Sequence, residues 1–111
     1  MLSLPANVRL FLCDKPMNMR KSFEGLGAVI ENLFPGEIFS GALFIFLNKT
    51  RDHIKVLVWD GDGFVIWYKR LQKGTFPGKW EEKSMDRKAF LMLLEGIIPK
   101  KNNRRFSMKT G

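Results

Sequence analysis

The run IKVLVWDGDGFVIWYKR, residues 54 to 70, brings two carboxylates, Asp60 and Asp62, within one glycine of each other. A calcium ion takes about six to eight oxygen ligands, so this pair would need partners converging from elsewhere, and His53 stands at the far end of the preceding run. The glycines answer a simpler requirement. Asp-Gly between alternating β-branched and aromatic residues is the signature of a hairpin, because glycine accepts the positive φ of a primed turn. A two-metal nuclease centre would gather three or four carboxylates, and Asp14, Glu24, Glu31, Asp60 and Asp62 have no spacing that commits them to one. Cys13 with His53 lacks the third member and oxyanion donors of a nucleophilic site. The GDG sequence precedes a strand, whereas a phosphate-binding glycine loop opens a helix. No catalytic residue, metal or cofactor is expected.

Binding chemistry is better represented. The chain has 19 Lys and Arg against 11 Asp and Glu, a net charge of +8 that favours an anionic partner. Nine of its cations fall at Arg20-Lys21, Lys49, Arg51, Lys55, Lys69-Arg70, Lys73 and Lys79, and five more in the last twelve residues, KKNNRRFSMKTG. Arg and Lys hold phosphates by charge and hydrogen bonds, and Arg also reads guanine edges. Tyr68, Phe76 and Trp80 add candidate stacking surfaces for single strands. The competing reading is that such lysines are solvated edges that prevent aggregation. The candidate nucleic-acid-binding residues are Arg20, Lys21, Lys55, Lys69, Arg70 and Lys73, with DNA or RNA as the partner.

The elements that must position these residues follow from periodicity. VRLFLC at 8 to 13 has strand length, and Pro16 breaks the loop after it. Phe23, Leu26, Ile30, Leu33 and Phe34 form a helical stripe that starts near Ser22 and stops at Pro35-Gly36. ALFIFLN at 42 to 48 and HIKVLVW at 53 to 59 are strands joined by the turn NKTRD. A two-residue loop at Gly61-Asp62 sets Trp59 opposite Phe64, Leu57 opposite Ile66, Lys55 opposite Tyr68 and His53 opposite Arg70. The other face carries Ile54, Val56, Val58, Val65 and Trp67, with Lys69 at its edge, and is expected to be the core surface. LQKGTFPGKWEEK reads as a loop. A second amphipathic helix is expected from about residue 86 to 98, through Phe90, Leu91, Leu94, Ile97 and Ile98.

A chain of 111 residues suits one domain. The expected architecture is α+β: a mainly antiparallel sheet of three or four strands with two helices on one face, over residues 1 to 99, followed by a basic flexible tail at 100 to 111. The lone Cys13 packs as a small apolar residue and fits a reducing compartment. The start MLSLPANVRLFLCDK lacks the basic and apolar regions of a signal peptide, and no apolar run reaches the 18 or so residues of a membrane span. A cytoplasmic protein without a membrane partner is expected.

DKPMNMRKSFEGL at 14 to 26, SGALFIFLNKTRDHIKVLVWDGDGFVIWYKRLQKGTF at 40 to 76 and FLMLLEGI at 90 to 97 resemble the transposase accessory family (TnpB, or Orf2-like) of the insertion sequence sixty-six group. The resemblance covers about nine tenths of the chain and rests on the order, spacing and wording of those blocks. The family's Met-Arg-Lys falls on Met19-Arg20-Lys21, its Trp-Asp-Gly-Asp-Gly on Trp59 to Gly63, and its Lys-Arg-Leu on Lys69-Arg70-Leu71. Ser22 replaces a usual glycine, at a helix start where serine can cap, and FPGKW replaces a usual Trp-Pro. The resemblance implies a small bacterial protein that acts beside a separate transposase and carries no catalytic residue. The expected function is accessory to transposition through binding of the element's DNA. The alternative is an adapter whose aromatic face at Trp59, Phe64 and Ile66 docks the transposase without touching DNA.

Overall fold

The computed structural model describes residues 8–76, within which one helix and four strands form a mixed sheet in the order β1-β2-β3-β4. The strands are β1 (Leu10–Leu12), β2 (Leu43–Leu47), β3 (His53–Trp59) and β4 (Phe64–Arg70), and the helix is α1 (Phe23–Leu33). The antiparallel pairs β2 with β3 and β3 with β4 are as expected, but β1 pairs β2 in parallel. Parallel neighbours need a long crossover, and the stretch from Cys13 to Ala42, which includes α1, supplies it. The second expected helix and the basic tail lie outside the described residues.

The helix begins after Ser22, which has extended backbone angles, although its hydroxyl makes no capping bond. Glu24 in the first turn instead complements the positive end of the helix dipole. At the other end the Phe34 N–H donates to the Ile30 carbonyl at 2.7 Å, and Gly36, with φ of 79°, turns the chain away after Pro35. Leu26 and Ile30 are fully buried, while Phe23, the first residue of the expected stripe, remains 46% exposed. Truncating Leu26 or Ile30 to alanine therefore costs about 2–5 kcal/mol, whereas the same change at Phe23 costs far less.

The expected core face is buried through Ile54 and Val56, with Val58 and Trp67 packed against them and Val65 exposed, but the helix covers the opposite face. Leu26 and Ile30 pack with Phe44, Phe46 and Leu57, and Phe64 and Ile66 adjoin them, so α1 covers the side of β3 that holds Lys55 and Leu57. The opposite side is apolar too: Ile54 and Val56 join Leu12, Ile45, Leu47 and the loop residue Phe76 in a second cluster. Every residue of β2 is buried, because this strand lies between β1 and β3 and between both clusters. Phe76 is 1% exposed, so its ring serves the core and not a stacking surface. Cys13, equally buried, packs among the helix-side residues as a small apolar group.

An aromatic triad fastens the end of the helix to the sheet. The ring centroids of Phe11 and Phe34 lie 4.7 Å apart, and both contact Phe44 at 5.6 and 5.8 Å. Arg9 extends over the Phe11 ring at 5.4 Å and pairs with Glu37, joining β1 to the turn that follows α1.

Candidate nucleic-acid interface

Strand β3 alternates, so His53, Lys55, Leu57 and Trp59 project to the helix side. The observed register sets Lys55 opposite Tyr68 and His53 opposite Arg70, as the hairpin pattern requires. Tyr68 and Arg70 therefore share that face, and Lys69 points to the other side, opposite Ile54. Only Lys69 intervenes between Tyr68 and Arg70, which lie roughly 7 Å apart along the strand. The candidate cations of β4 are thus divided between the two faces.

Lys55 reaches a segment far from it in sequence. Its ammonium donates to the carbonyls of Met19 at 2.8 Å and Lys21 at 2.9 Å, and it lies 5.3 Å from the Tyr68 ring centroid. Arg20, between those carbonyls, donates its N–H to the Asn18 side chain at 2.8 Å, while the Met17 N–H bonds the Leu47 carbonyl at 2.8 Å. The loop before α1 is tied to β2 at one point and to β3 at another. Arg20 and Lys21 are exposed at its corner, and neither has an acidic partner among the described residues. Lys55 therefore acts first as a strut, since two of its three N–H groups are occupied by backbone oxygens.

Next to this corner lies an open depression of about 420 Å³, lined by Met17, Met19, Lys49, Thr50 and His53 among others. Lys49 was outside the candidate set, yet the turn NKTRD carries it to the same end of the sheet. The signal that locates it is the turn itself. Asn48 accepts the backbone N–H groups of Asp52 and His53, both at 3.0 Å, and its amide donates to the Asp52 carboxylate at 2.8 Å. Thr50 donates to the same carboxylate oxygen at 2.8 Å. These bonds to Asn48 and Thr50 hold the Asp52 carboxyl below its ordinary value. His53 contacts the Tyr68 hydroxyl through Nδ1, and its Nε2 lies 3.9 Å from Asp52.

The other cations have other surroundings. Arg51 donates through Nε to the Phe76 carbonyl at 3.1 Å, and partial burial lowers its pKa from the usual arginine value. It anchors the loop after β4, a role reinforced by the Phe76 N–H bond to the Arg51 carbonyl at 2.7 Å. Lys73 is exposed in that loop, and Lys69 is half-buried. Among the described residues no three His, Cys, Asp or Glu side chains gather at one point. Asp60 and Asp62 are exposed at the hairpin tip, where the Asp60 N–H bonds the Gly63 carbonyl at 2.8 Å and Gly61 has φ of 84°. Positive φ at the first central residue alone matches a type II′ turn. The surface is suited to holding phosphates and planar groups, through Arg20, Lys21, Lys49, Arg70 and the exposed Tyr68.

The profile of the IS66 Orf2-like proteins matches residues 8–104. The chain belongs to that family. Membership ties it to the transposition of an insertion sequence in an accessory role. It is similar to the uncharacterized protein y4jC of Sinorhizobium fredii (strain NBRC 101917 / NGR234), with 26% identity over 100 residues, covering 87% of this chain and 86% of the relative. A second uncharacterized protein of that strain, y4hO, is 30% identical over 76 residues, covering 68% of this chain and 66% of the relative. No solved structure matches. Met19-Arg20-Lys21 and Lys69-Arg70 thus lie toward one end of the hairpin, and Trp59 to Gly63 at the other. Among the described residues no helix is long and apolar enough to cross a membrane.

Proposed function

We propose that this protein binds the DNA of its insertion sequence through the basic corner at Arg20 and Lys21, and so helps the transposase assemble on the element's ends. Arg70 and Lys49 border the same surface, Lys73 lies in the loop beyond Arg70, Lys69 faces the other side of the sheet, and Lys55 fixes the corner's shape while adding charge. One observation carries the reading. The Lys55 ammonium binds the backbone on both sides of Arg20, holding two exposed cations against the face of the hairpin that carries Arg70. Phosphate contacts supply most of the affinity in such an interface, and Arg20 or Arg70 at a base edge supplies any sequence preference.

The test is fluorescence anisotropy of the full chain against duplex DNA from the element's ends, across a salt series. Neutralising about four or five phosphates gives a slope of roughly −4 in log affinity against log salt. Arg20→Ala and Lys21→Ala each reduce the magnitude of that slope by about 1. Lys55→Met weakens binding as well, because the corner loses its strut. A salt-independent affinity, or no change in the Arg20→Ala, Lys21→Ala double variant, overturns the reading. Single-stranded RNA that outcompetes the duplex moves the function to the element's transcript.

A further inference from the structure

At the opposite end of β3 the surface reverses in character. Phe39, in the turn after α1, leaves 63% of its surface exposed while its ring meets Trp59 edge-on at 5.0 Å and Phe64 at 5.5 Å. Trp59 and Phe64 are cross-strand partners with centroids 5.0 Å apart. Three aromatic rings thus form a continuous half-open patch at the hairpin tip. Asp60 and Asp62 follow Trp59 directly, both exposed and without a cationic partner among the described residues.

The two acids decide what such a patch can receive. Phosphate is repelled, so neither DNA nor an anionic lipid surface suits the tip of this protein, although its net charge with these two acids included is +8. A symmetric contact with a second copy would set the Asp60 and Asp62 pairs of both molecules against each other. A protein segment with an aliphatic or aromatic anchor flanked by Lys or Arg meets every requirement. Its anchor displaces water from Phe39, its cations pair with the aspartates, and a guanidinium stacks over Trp59.

We propose that the tip formed by Phe39, Trp59, Phe64, Asp60 and Asp62 docks a cationic, apolar segment of a protein partner, leaving the basic corner at the far end of the hairpin for nucleic acid. The probe is the purified transposase encoded by the same element, titrated against the full chain by biolayer interferometry. Phe39→Ser and the double variant Asp60→Asn, Asp62→Asn each weaken transposase binding about tenfold or more. Neither weakens duplex binding, and both variants keep a cooperative thermal unfolding transition, with Phe39→Ser lowered only by the loss of its two ring contacts. Arg20→Ala with Lys21→Ala has the converse effect, so loss of the DNA reading and loss of this one are separable. The proposal is overturned if the transposase does not bind the wild-type chain, or binds both tip variants as tightly as wild type. It is also overturned if Phe39→Ser lowers self-association measured by sedimentation while transposase binding stays unchanged.

Discussion

The turns at the two ends of β3 solve the same geometric problem with different chemistry. Between β2 and β3 the chain reverses through Asn48 to Asp52, whose polar side chains fold inward onto backbone and one another. That network holds Arg51 at φ of 59°, a left-handed conformation that a long side chain rarely adopts. Between β3 and β4 the reversal rests on Gly61 at φ of 84° and on the Asp60 N–H bond to the Gly63 carbonyl. Side chains that build a turn are unavailable to a partner. Where glycine builds it, Asp60 and Asp62 remain free to face solvent, and the tip can carry an acidic signature at no cost to its geometry. The first turn is a scaffold beside the basic corner; the second is a display.

Removing the organiser of the first turn breaks this contrast most severely. Asn48→Ala leaves the N–H groups of Asp52 and His53 without their acceptor and deprives Asp52 of a donor. Partial access of water softens the loss, so the expected cost is about 2–3 kcal/mol, read as a lower midpoint in chemical denaturation. A cost below about 0.5 kcal/mol would mean that the side chains only decorate a turn set by the strands.

The tip should be less sensitive. Gly61→Ala has open space around its added methyl group, so the penalty is confined to the backbone. A left-handed L-residue costs about 1–2 kcal/mol, smaller than the Asn48 effect and measurable by the same denaturation experiment. A loss equal to that of Asn48→Ala would remove the distinction between the two turns.

The hairpin was legible because two signals agreed: Asp-Gly fixed the loop, and strict alternation on both sides fixed the register from Trp59 opposite Phe64 to His53 opposite Arg70. Helix α1 was legible from Leu26 and Ile30. Which face it covers was not, since Leu57 on one side of β3 and Ile54 and Val56 on the other are equally apolar. The wholly buried LFIFL of β2 has no alternation to arbitrate. Parallel pairing of β1 also leaves no local mark, because it depends on a crossover and not on a turn. The candidate site shows the same limit. Charge located Arg20 and Lys21, but nothing near Lys55 in sequence announces that its ammonium binds carbonyls 36 and 34 positions away. Phe76 read as a loop aromatic because its place in the core is fixed by the tertiary bonds between Phe76 and Arg51.

The smallest expected effect lies within the first turn and depends on pH. Asn48 and Thr50 donate to the Asp52 carboxylate and hold its folded pKa below the unfolded value of about 3.9. A depressed folded pKa means that the unfolded chain binds the proton first as acid is added. The contribution is therefore complete above the unfolded value and fades as pH falls through the folded one. Asp52→Asn removes this dependence, because its amide presents the same pH-independent hydrogen bonding throughout. Denaturation midpoints of the two proteins should differ by a constant amount from neutrality down to about pH 5 and converge below about pH 4. If the Asp52→Asn midpoints stay the same distance from wild type down through the acid range, the bonds from Asn48 and Thr50 to this carboxylate contribute nothing to folding.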